Sequence, residues 1–195
     1  MAEANGKFYL FYSGNRWDTE DYAEGWAVCI DLPAAGANDA TAALDWGLAP
    51  APDGRAVFAV NATLGVAVDV DPTDLVVRRT AVIQPLAAGS IVLAKFGHGD
   101  VGPVGRRVVV APDGRTVYGA GSAGIVAIDA AHLTELRRYL DGSPIGGLGL
   151  TPDGRTIYAL DAANGTILAL DAASGTVVGR VPGDGFDRLL AVVPW

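Results

Sequence analysis

The chain has 195 residues, half of them hydrophobic, which is enough apolar material for a core of ordinary size. Its net charge of −8, with no basic stripe, excludes nucleic acid and an anionic membrane surface as expected partners, because both need clustered Lys and Arg. One cysteine excludes an internal disulfide, and no apolar run is long enough to predict membrane insertion. Met1 is followed by polar residues rather than an export signal, so the compartment stays open.

The first predicted element is an aromatic strand over residues 7–13. A polar loop over residues 15–25 separates it from a second strand over residues 26–31. Residues 33–43 are small and turn-rich, so the fourth strand of this unit is poorly defined. The first unit is therefore expected to be an antiparallel meander with one weak member.

Pro-Asp-Gly-Arg then occurs three times, at residues 52–55, 112–115 and 152–155. Each copy is a strong turn signal, in which the carboxylate bonds backbone amides and the glycine takes a positive φ. We therefore assign Asp53, Asp113 and Asp153 a structural role. Each turn precedes a strand with an aromatic residue, and the three aromatics are Phe58, Tyr118 and Tyr158.

A second strand follows each of these, as one does in the first unit. All four end on an aspartate that we predict to cap the next turn, in the series Asp31, Asp69, Asp129 and Asp171. After the first Pro-Asp-Gly-Arg turn, strands are predicted over residues 56–61, 65–70 and 75–83. Residues 130–136 favour a helical turn over a clean hairpin. The run from 148 to 181 is the clearest meander, with three short strands at period two.

A unit of about 40 residues with four strand-sized pieces is typical of a β-propeller blade. The unit resembles the YVTN-type propeller repeat, which is related in shape to WD40 repeats, over residues 44–195. The resemblance implies an all-β propeller of antiparallel four-stranded blades. Relatives of this kind are often extracytoplasmic, and the resemblance leaves the ligand open.

We predict a single domain over residues 1–195 with about four blades, made of residues 187–195 plus 6–43, 44–83, 106–140 and 145–181. The C-terminal strand would pair with the N-terminal one, which removes exposed sheet edges and gives a monomer. The alternative is a fragment of a larger propeller that associates with another copy or with further sequence.

Two connecting segments are longer than the equivalent segments of the other repeats. Twenty-five residues separate Gly6 from Asp31, against 15 between Gly114 and Asp129, and the connection containing residues 84–105 is about twenty residues longer than its equivalents. In a four-stranded meander both insertions emerge on one face. We therefore predict a ligand-binding mouth there, although both could be tolerated surface insertions. Its residues are Asn15, Arg16, Trp17, Asp18, Asp21, Tyr22, Lys95, His98 and Asp100.

Residues 6–29 resemble a stretch of the arabinanase and xylosidase type of glycoside hydrolases, in which a YYLFYS strand precedes an acidic, aromatic loop. The resemblance implies that Trp17, Tyr22 and Trp26 could stack on sugar rings. It also implies that Asp18, Glu20 and Asp21 could bond hydroxyl groups. That family's carboxylates lie upstream of the motif, and Glu3 has the wrong spacing, so no acid and base pair can be assigned.

No metal site is predicted, because His98 and His132 lie 34 residues apart without ligand spacing. No cofactor is predicted either, since the Gly-rich run over residues 99–105 follows no strand and opens no helix. The sequence thus favours a non-enzymatic module that recognises a protein or carbohydrate ligand, with no catalytic residue. The alternative is a degenerate or truncated glycoside hydrolase that keeps a carbohydrate cleft.

Overall fold

The computed structural model describes residues 2–4, 7–12, 27–31, 47–62, 65–86 and 107–182. All regular secondary-structure elements within these ranges are β-strands. In chain order the strands are β1 (Ala2–Ala4), β2 (Lys7–Tyr12), β3 (Ala27–Asp31), β4 (Gly47–Pro50), β5 (Val57–Asn61), β6 (Val66–Val70), β7 (Val77–Val82), β8 (Val108–Val110), β9 (Thr116–Gly121), β10 (Gly124–Asp129), β11 (Thr134–Tyr139), β12 (Ile145–Leu150), β13 (Thr156–Asp161), β14 (Thr166–Asp171) and β15 (Val177–Val181).

Twelve of these strands form three four-stranded antiparallel sheets, which we call blade A (β4–β7), blade B (β8–β11) and blade C (β12–β15). Within each blade, strands adjacent in sequence are adjacent in the sheet, as the spacing of turn signals predicts. The helical turn expected over residues 130–136 is shorter than predicted. Residues 130–133 form one turn, in which the Leu133 amide donates to the Asp129 carbonyl at 2.8 Å, and β11 begins at Thr134.

The blades pack side by side in chain order, with β4 beside β8 and β8 beside β12. One hydrophobic cluster joins blade A to blade B, and another joins blade B to blade C. The outermost strands β7 and β15 keep exposed positions such as Val82 and Val178. This is the arrangement of a β-propeller, so the predicted all-β propeller class is confirmed.

The N-terminal sheet differs from the expected meander. Strand β1 pairs antiparallel with β2, but β2 pairs parallel with β3 from Phe8 opposite Ala27 to Tyr12 opposite Asp31. A parallel pair needs a crossover connection rather than a hairpin. Strand β1 lies beside β4, in the innermost position of its sheet. The predicted closing strand, residues 187–195, lies outside the described residues.

The aspartate that caps the turn after the third strand of blade A is Asp71, so the assignment of Asp69 is wrong. Asp71 Oδ1 accepts a hydrogen bond of 2.8 Å from the Thr73 amide, just as Asp171 Oδ1 accepts one of 2.7 Å from the Ser174 amide. Asp69 lies two residues earlier, inside β6, and is 3% exposed. The connection from Asp71 to Pro112 is still 41 residues long, so the predicted insertion remains.

Candidate functional site

The residues of the predicted binding mouth fall in segments 13–26 and 87–106, which lie outside the described residues. They therefore remain a prediction. This applies to Asn15, Arg16, Trp17, Asp18, Asp21, Tyr22, Lys95, His98 and Asp100.

The two ends of segment 87–106 are anchored at the same end of the blades. The Leu86 amide donates to the Ala62 carbonyl at 2.8 Å, and the Ser122 hydroxyl donates to the Leu86 carbonyl at 3.0 Å. The carbonyl of Arg107 accepts from the Ala120 amide at 2.7 Å. We call this end, which carries Ala62, Gly65 and the turns over residues 122–123 and 162–165, the loop face. The long connection leaves and re-enters the fold there.

The opposite end, which we call the turn face, carries the three Pro-Asp-Gly-Arg turns and the turns that follow β6, β10 and β14. The three Pro-Asp-Gly-Arg turns share one geometry. In the first, the Gly54 amide donates to the Ala51 carbonyl at 2.9 Å, and the Arg55 amide donates to Asp53 Oδ1 at 3.0 Å. Gly54, Gly114 and Gly154 have φ values of 69°, 71° and 71°, a region that L side chains rarely adopt. The structural role predicted for these aspartates is confirmed.

Successive turns contact one another through proline and glycine. A Cβ placed on Gly154 would lie 3.0 Å from Pro112 Cδ, and one placed on Gly114 would lie 3.8 Å from Pro52 Cδ. The second and third turns also receive a backbone hydrogen bond from their own blades, since the Ala130 amide donates to the Arg115 carbonyl at 2.9 Å and the Ala172 amide to the Arg155 carbonyl at 2.8 Å. The turns therefore form a fixed row along the turn face.

A groove of about 550 Å³ opens between the first two turns of this row. Its floor contains Phe58, which is 4% exposed. The turns supply charged walls, and the turn after β10 closes the far side. The lining residues that matter for its chemistry are Asp53, Arg55, Asp113, Arg115 and Asp129. Sequence reasoning missed this groove, because it depends on how two blades pack.

Two further arginines hold the blade A side of the groove in place. Arg79 Nε donates to Asp69 Oδ2 at 3.0 Å, and its Nη2 reaches across to the Ala130 carbonyl at 3.2 Å. Arg78 forms an ion pair with Asp71 and donates from Nη1 to the Arg55 carbonyl at 2.8 Å. The Thr73 amide and the Arg78 guanidinium both lower the pKa of Asp71. The groove is thus preorganised rather than formed on binding.

The described ranges contain no group of three or more His, Cys, Asp or Glu side chains arranged to hold a metal ion. His132 Nδ1 lies 2.8 Å from Asp129 Oδ1, and this contact lowers the pKa of Asp129. Nor does this part of the chain contain a helix long and apolar enough to cross a membrane.

Solved structures of β-propellers have the same architecture as the described residues. The hydrazine synthase of Kuenenia stuttgartiensis is similar at 17% identity with a TM-score of 0.56 over 73% of this chain. The U3-55K structure and the WD40 repeats of RRP9 are each similar at 14% identity with a TM-score of 0.52 over 70% of it. This establishes a WD40-like propeller fold.

The chain spans 37% of the hydrazine synthase chain and 38% of the other two. At these identities the likeness concerns the fold alone. No protein-family model matches the sequence, and no curated protein matches it.

Proposed function

We propose that this protein is a non-enzymatic β-propeller module that binds a partner protein through its loop face. The supporting observation is the anchoring of Leu86 and Arg107, which lie at the two ends of the longest insertion, against Ala62, Ser122 and Ala120. Binding residues concentrate in long loops that a rigid scaffold holds. Aromatic and charged side chains of the predicted mouth, such as Trp17 and Lys95, would supply the contacts.

The finer features of the proposal rest on the sequence pattern. The turn-and-aromatic repeat supports a YVTN-type propeller of about four blades within residues 1–195. In a closed ring, residues 187–195 would complete the N-terminal blade, and native mass measurement should give the mass of one chain. A half propeller would give a multiple of that mass instead.

The test is quantitative affinity enrichment from cells that express the protein naturally. A variant with Lys95→Ala, His98→Ala and Asp100→Ala alters the predicted binding mouth. Arg155→Ala is the matched control, because Arg155 is exposed on the opposite turn face. Partners should be retained by the wild-type protein and the control and lost with the triple variant. Equal recovery with all three proteins would contradict binding through the loop face.

The second candidate is a carbohydrate-binding propeller related to glycoside hydrolases. The likeness of residues 6–29 to arabinanases and xylosidases favours it, with Trp17 and Tyr22 as the stacking residues. Xylo- and arabino-oligosaccharides should then quench tryptophan fluorescence in the wild-type protein but not in Trp17→Ala. Arabinan, xylan and their aryl glycosides should release no product. Product release would instead support an active hydrolase.

A further inference from the structure

We propose that the groove between the turns over residues 52–55 and 112–115 is a second binding site, which takes an extended segment of a partner protein. The segment carries a carboxylate and a cationic side chain a few residues apart. The groove lies on the turn face, so this site is separate from the loop face and does not depend on it.

The groove has the dimensions of a ligand site. Its volume of about 550 Å³ lies within the range of roughly 300–1,000 Å³ that is usual for such sites. Its floor is rigid, because Phe58 and Ala56 belong to the hydrophobic cluster that joins blades A and B. The free-energy cost of ordering the site when a partner binds would therefore be small.

The groove presents two exposed arginines, Arg55 and Arg115. Within the described residues, the side chains of Arg55 and Arg115 donate no hydrogen bond, although both line the groove and both are exposed. Arg79 and Arg138, by contrast, each bind a carboxylate and a backbone carbonyl of this chain. A guanidinium group matches a carboxylate with two parallel hydrogen bonds. The free pair is suited to an acidic side chain.

The same walls offer acceptors for a cation. Asp53 and Asp113 each use Oδ1 to accept the amide of the arginine that follows, at 3.0 and 2.9 Å. Their Oδ2 atoms accept no hydrogen bond within the described part of the chain. Asp129 adds a third carboxylate at the far side.

This mixture of charges selects the ligand. A purely anionic ligand such as phosphate would meet three carboxylates, and a purely cationic one would meet two guanidinium groups. A segment that carries both signs can satisfy each wall, and like-charge contacts disfavour the other classes.

The experiment is an NMR titration of the isotope-labelled full chain with blocked peptides. The probe is Val-Glu-Thr-Lys-Val, and the comparison peptides are Val-Gln-Thr-Lys-Val, Val-Glu-Thr-Gln-Val and inorganic phosphate. We expect the probe to shift the amides of Gly54 and Gly114 and to leave that of Gly154 unchanged. Loss of either peptide charge should weaken binding about threefold to tenfold, as for a partly exposed charge-assisted contact.

Variants locate the site. Arg55→Gln with Arg115→Gln should weaken the probe about tenfold or more, since both guanidinium groups are lost. Arg155→Gln is the matched control, because Arg155 occupies the same turn position in blade C but does not line the groove. The loop-face triple variant should bind the probe normally. A failed loop-face proposal would therefore leave this one standing.

Three results would overturn the proposal. One is no saturable shift at Gly54 or Gly114 with the probe. Another is equal weakening by Arg155→Gln and by the double variant. The third is a phosphate titration that reproduces the shifts, which would indicate a simple anion site. Arg55 and Arg115 are exposed, and an unchanged amide spectrum outside the groove would confirm that the variants fold.

Discussion

Arg78 donates to the Arg55 carbonyl the hydrogen bond that Pro72 cannot supply. In blade C the equivalent carbonyl, that of Arg155, accepts a hydrogen bond of 2.8 Å from the backbone amide of Ala172. In blade A the residue in the place of Ala172 is a proline, which has no N–H. The Arg78 guanidinium fills the role at 2.8 Å.

The position of Arg78 makes this substitution possible. It is the extra residue of a β-bulge in β7, between the pairs Asp69–Arg79 and Val70–Val77. Blades B and C have the same bulge, and their extra residues are the exposed Leu136 and Val178. A bulge aims its side chain away from the ladder, which here lets a long cation reach two turns at once.

The first prediction is that Arg78 and Pro72 are energetically coupled. Arg78→Ala should lower the urea midpoint of unfolding, because the Arg55 carbonyl loses its donor and Asp71 loses its ion pair. In a Pro72→Ala background the same substitution should cost about half as much, since the new amide can bond Arg55. A double-mutant cycle from urea unfolding measures this coupling. An equal loss in both backgrounds would show that Arg78 acts through Asp71 alone.

The second prediction concerns Gly175 and Tyr139. The Tyr139 hydroxyl donates to the Ala172 carbonyl at 2.8 Å, and a Cβ on Gly175 would lie 2.2 Å from Tyr139 Cδ1. Gly175 also has a φ of 77°. Gly175→Ala should therefore destabilise the protein by about 2–4 kcal/mol, the sum of a left-handed backbone and overpacking.

Gly142→Ala is the matched control for that substitution. Gly142 has a φ of 83°, but an added Cβ would meet nothing within 4 Å. It should cost about 1–2 kcal/mol from the backbone alone. Urea unfolding of both variants separates the two contributions. Equal losses would mean that Tyr139 moves aside without cost.

The third prediction is that the buried carboxylate of Asp69 depends on Arg79. Asp69 Oδ1 is buried without a hydrogen-bond partner, so Arg79 provides its main compensation. Arg79→Ala should cost about 2–3 kcal/mol, reduced from the fully buried case because the arginine is 40% exposed. The double variant Asp69→Ala with Arg79→Ala should be more stable than Arg79→Ala alone.

Blade C supports this expectation, because Ala169 occupies the position of Asp69 and Gly179 that of Arg79. The measurement is again the free energy of unfolding in urea. If the double variant lost as much free energy of unfolding as the two single variants together, Asp69 would stabilise the protein independently of Arg79.

The turns could be predicted from sequence because their chemistry is local. Within four residues, Pro-Asp-Gly-Arg supplies a proline with a fixed φ, an aspartate whose carboxylate accepts a backbone amide, and a glycine that takes a positive φ. Asp69 was misassigned for the opposite reason. The segment Asp69–Val70–Asp71 has two aspartates two residues apart. Which of them caps the turn after β6 depends on the length of the turn that precedes this strand.

The groove and the contacts between blades could not be predicted, because they depend on residues far apart in sequence. Leu133, with a φ of 55°, packs in the cluster that includes Ala81. At the interface between blades B and C the large and small residues are exchanged. There the large side chain, Tyr139, lies on the earlier blade and packs against Gly175 of the later one. Either pair fills the same kind of space, and neither member alone reveals its partner in the sequence.

The fourth prediction concerns stability in acid. The Ser174 hydroxyl and amide lower the pKa of Asp171, and the Thr151 hydroxyl and Arg155 amide lower that of Asp153. A folded pKa below the ordinary value of 3.8 adds stability that is complete above it. That stability is lost as the pH falls through the folded pKa. Urea midpoints should therefore hold between about pH 5 and 7 and fall below about pH 4.

Asp171→Asn should flatten the acid part of this profile. Asp141→Asn, which removes an exposed carboxylate outside these turns, is the control for the loss of one negative charge. Parallel profiles for the wild-type protein and Asp171→Asn would show that the turn carboxylates do not control acid unfolding.

The last prediction concerns alkaline pH and Tyr118. Burial, with a smaller contribution from Tyr139 at a ring distance of 6.3 Å, raises the pKa of Tyr118 to about 12. A phenol with a folded pKa above its ordinary value adds stability that is complete below about pH 10. That stability is lost as the pH rises through about 12, at a cost on the order of 2 kcal/mol. Ultraviolet titration should show late-ionising tyrosine absorbance that is smaller in Tyr118→Phe. Part of it should remain in that variant, because burial also raises the pKa of Tyr139. The stability of that variant should fall less between pH 10 and 12 than that of the wild-type protein, because the unfolded state no longer gains by ionising this phenol. If both proteins lost stability in parallel over this range, the phenol would ionise in the folded state as it does in water, and the contact between blades B and C would be open to solvent.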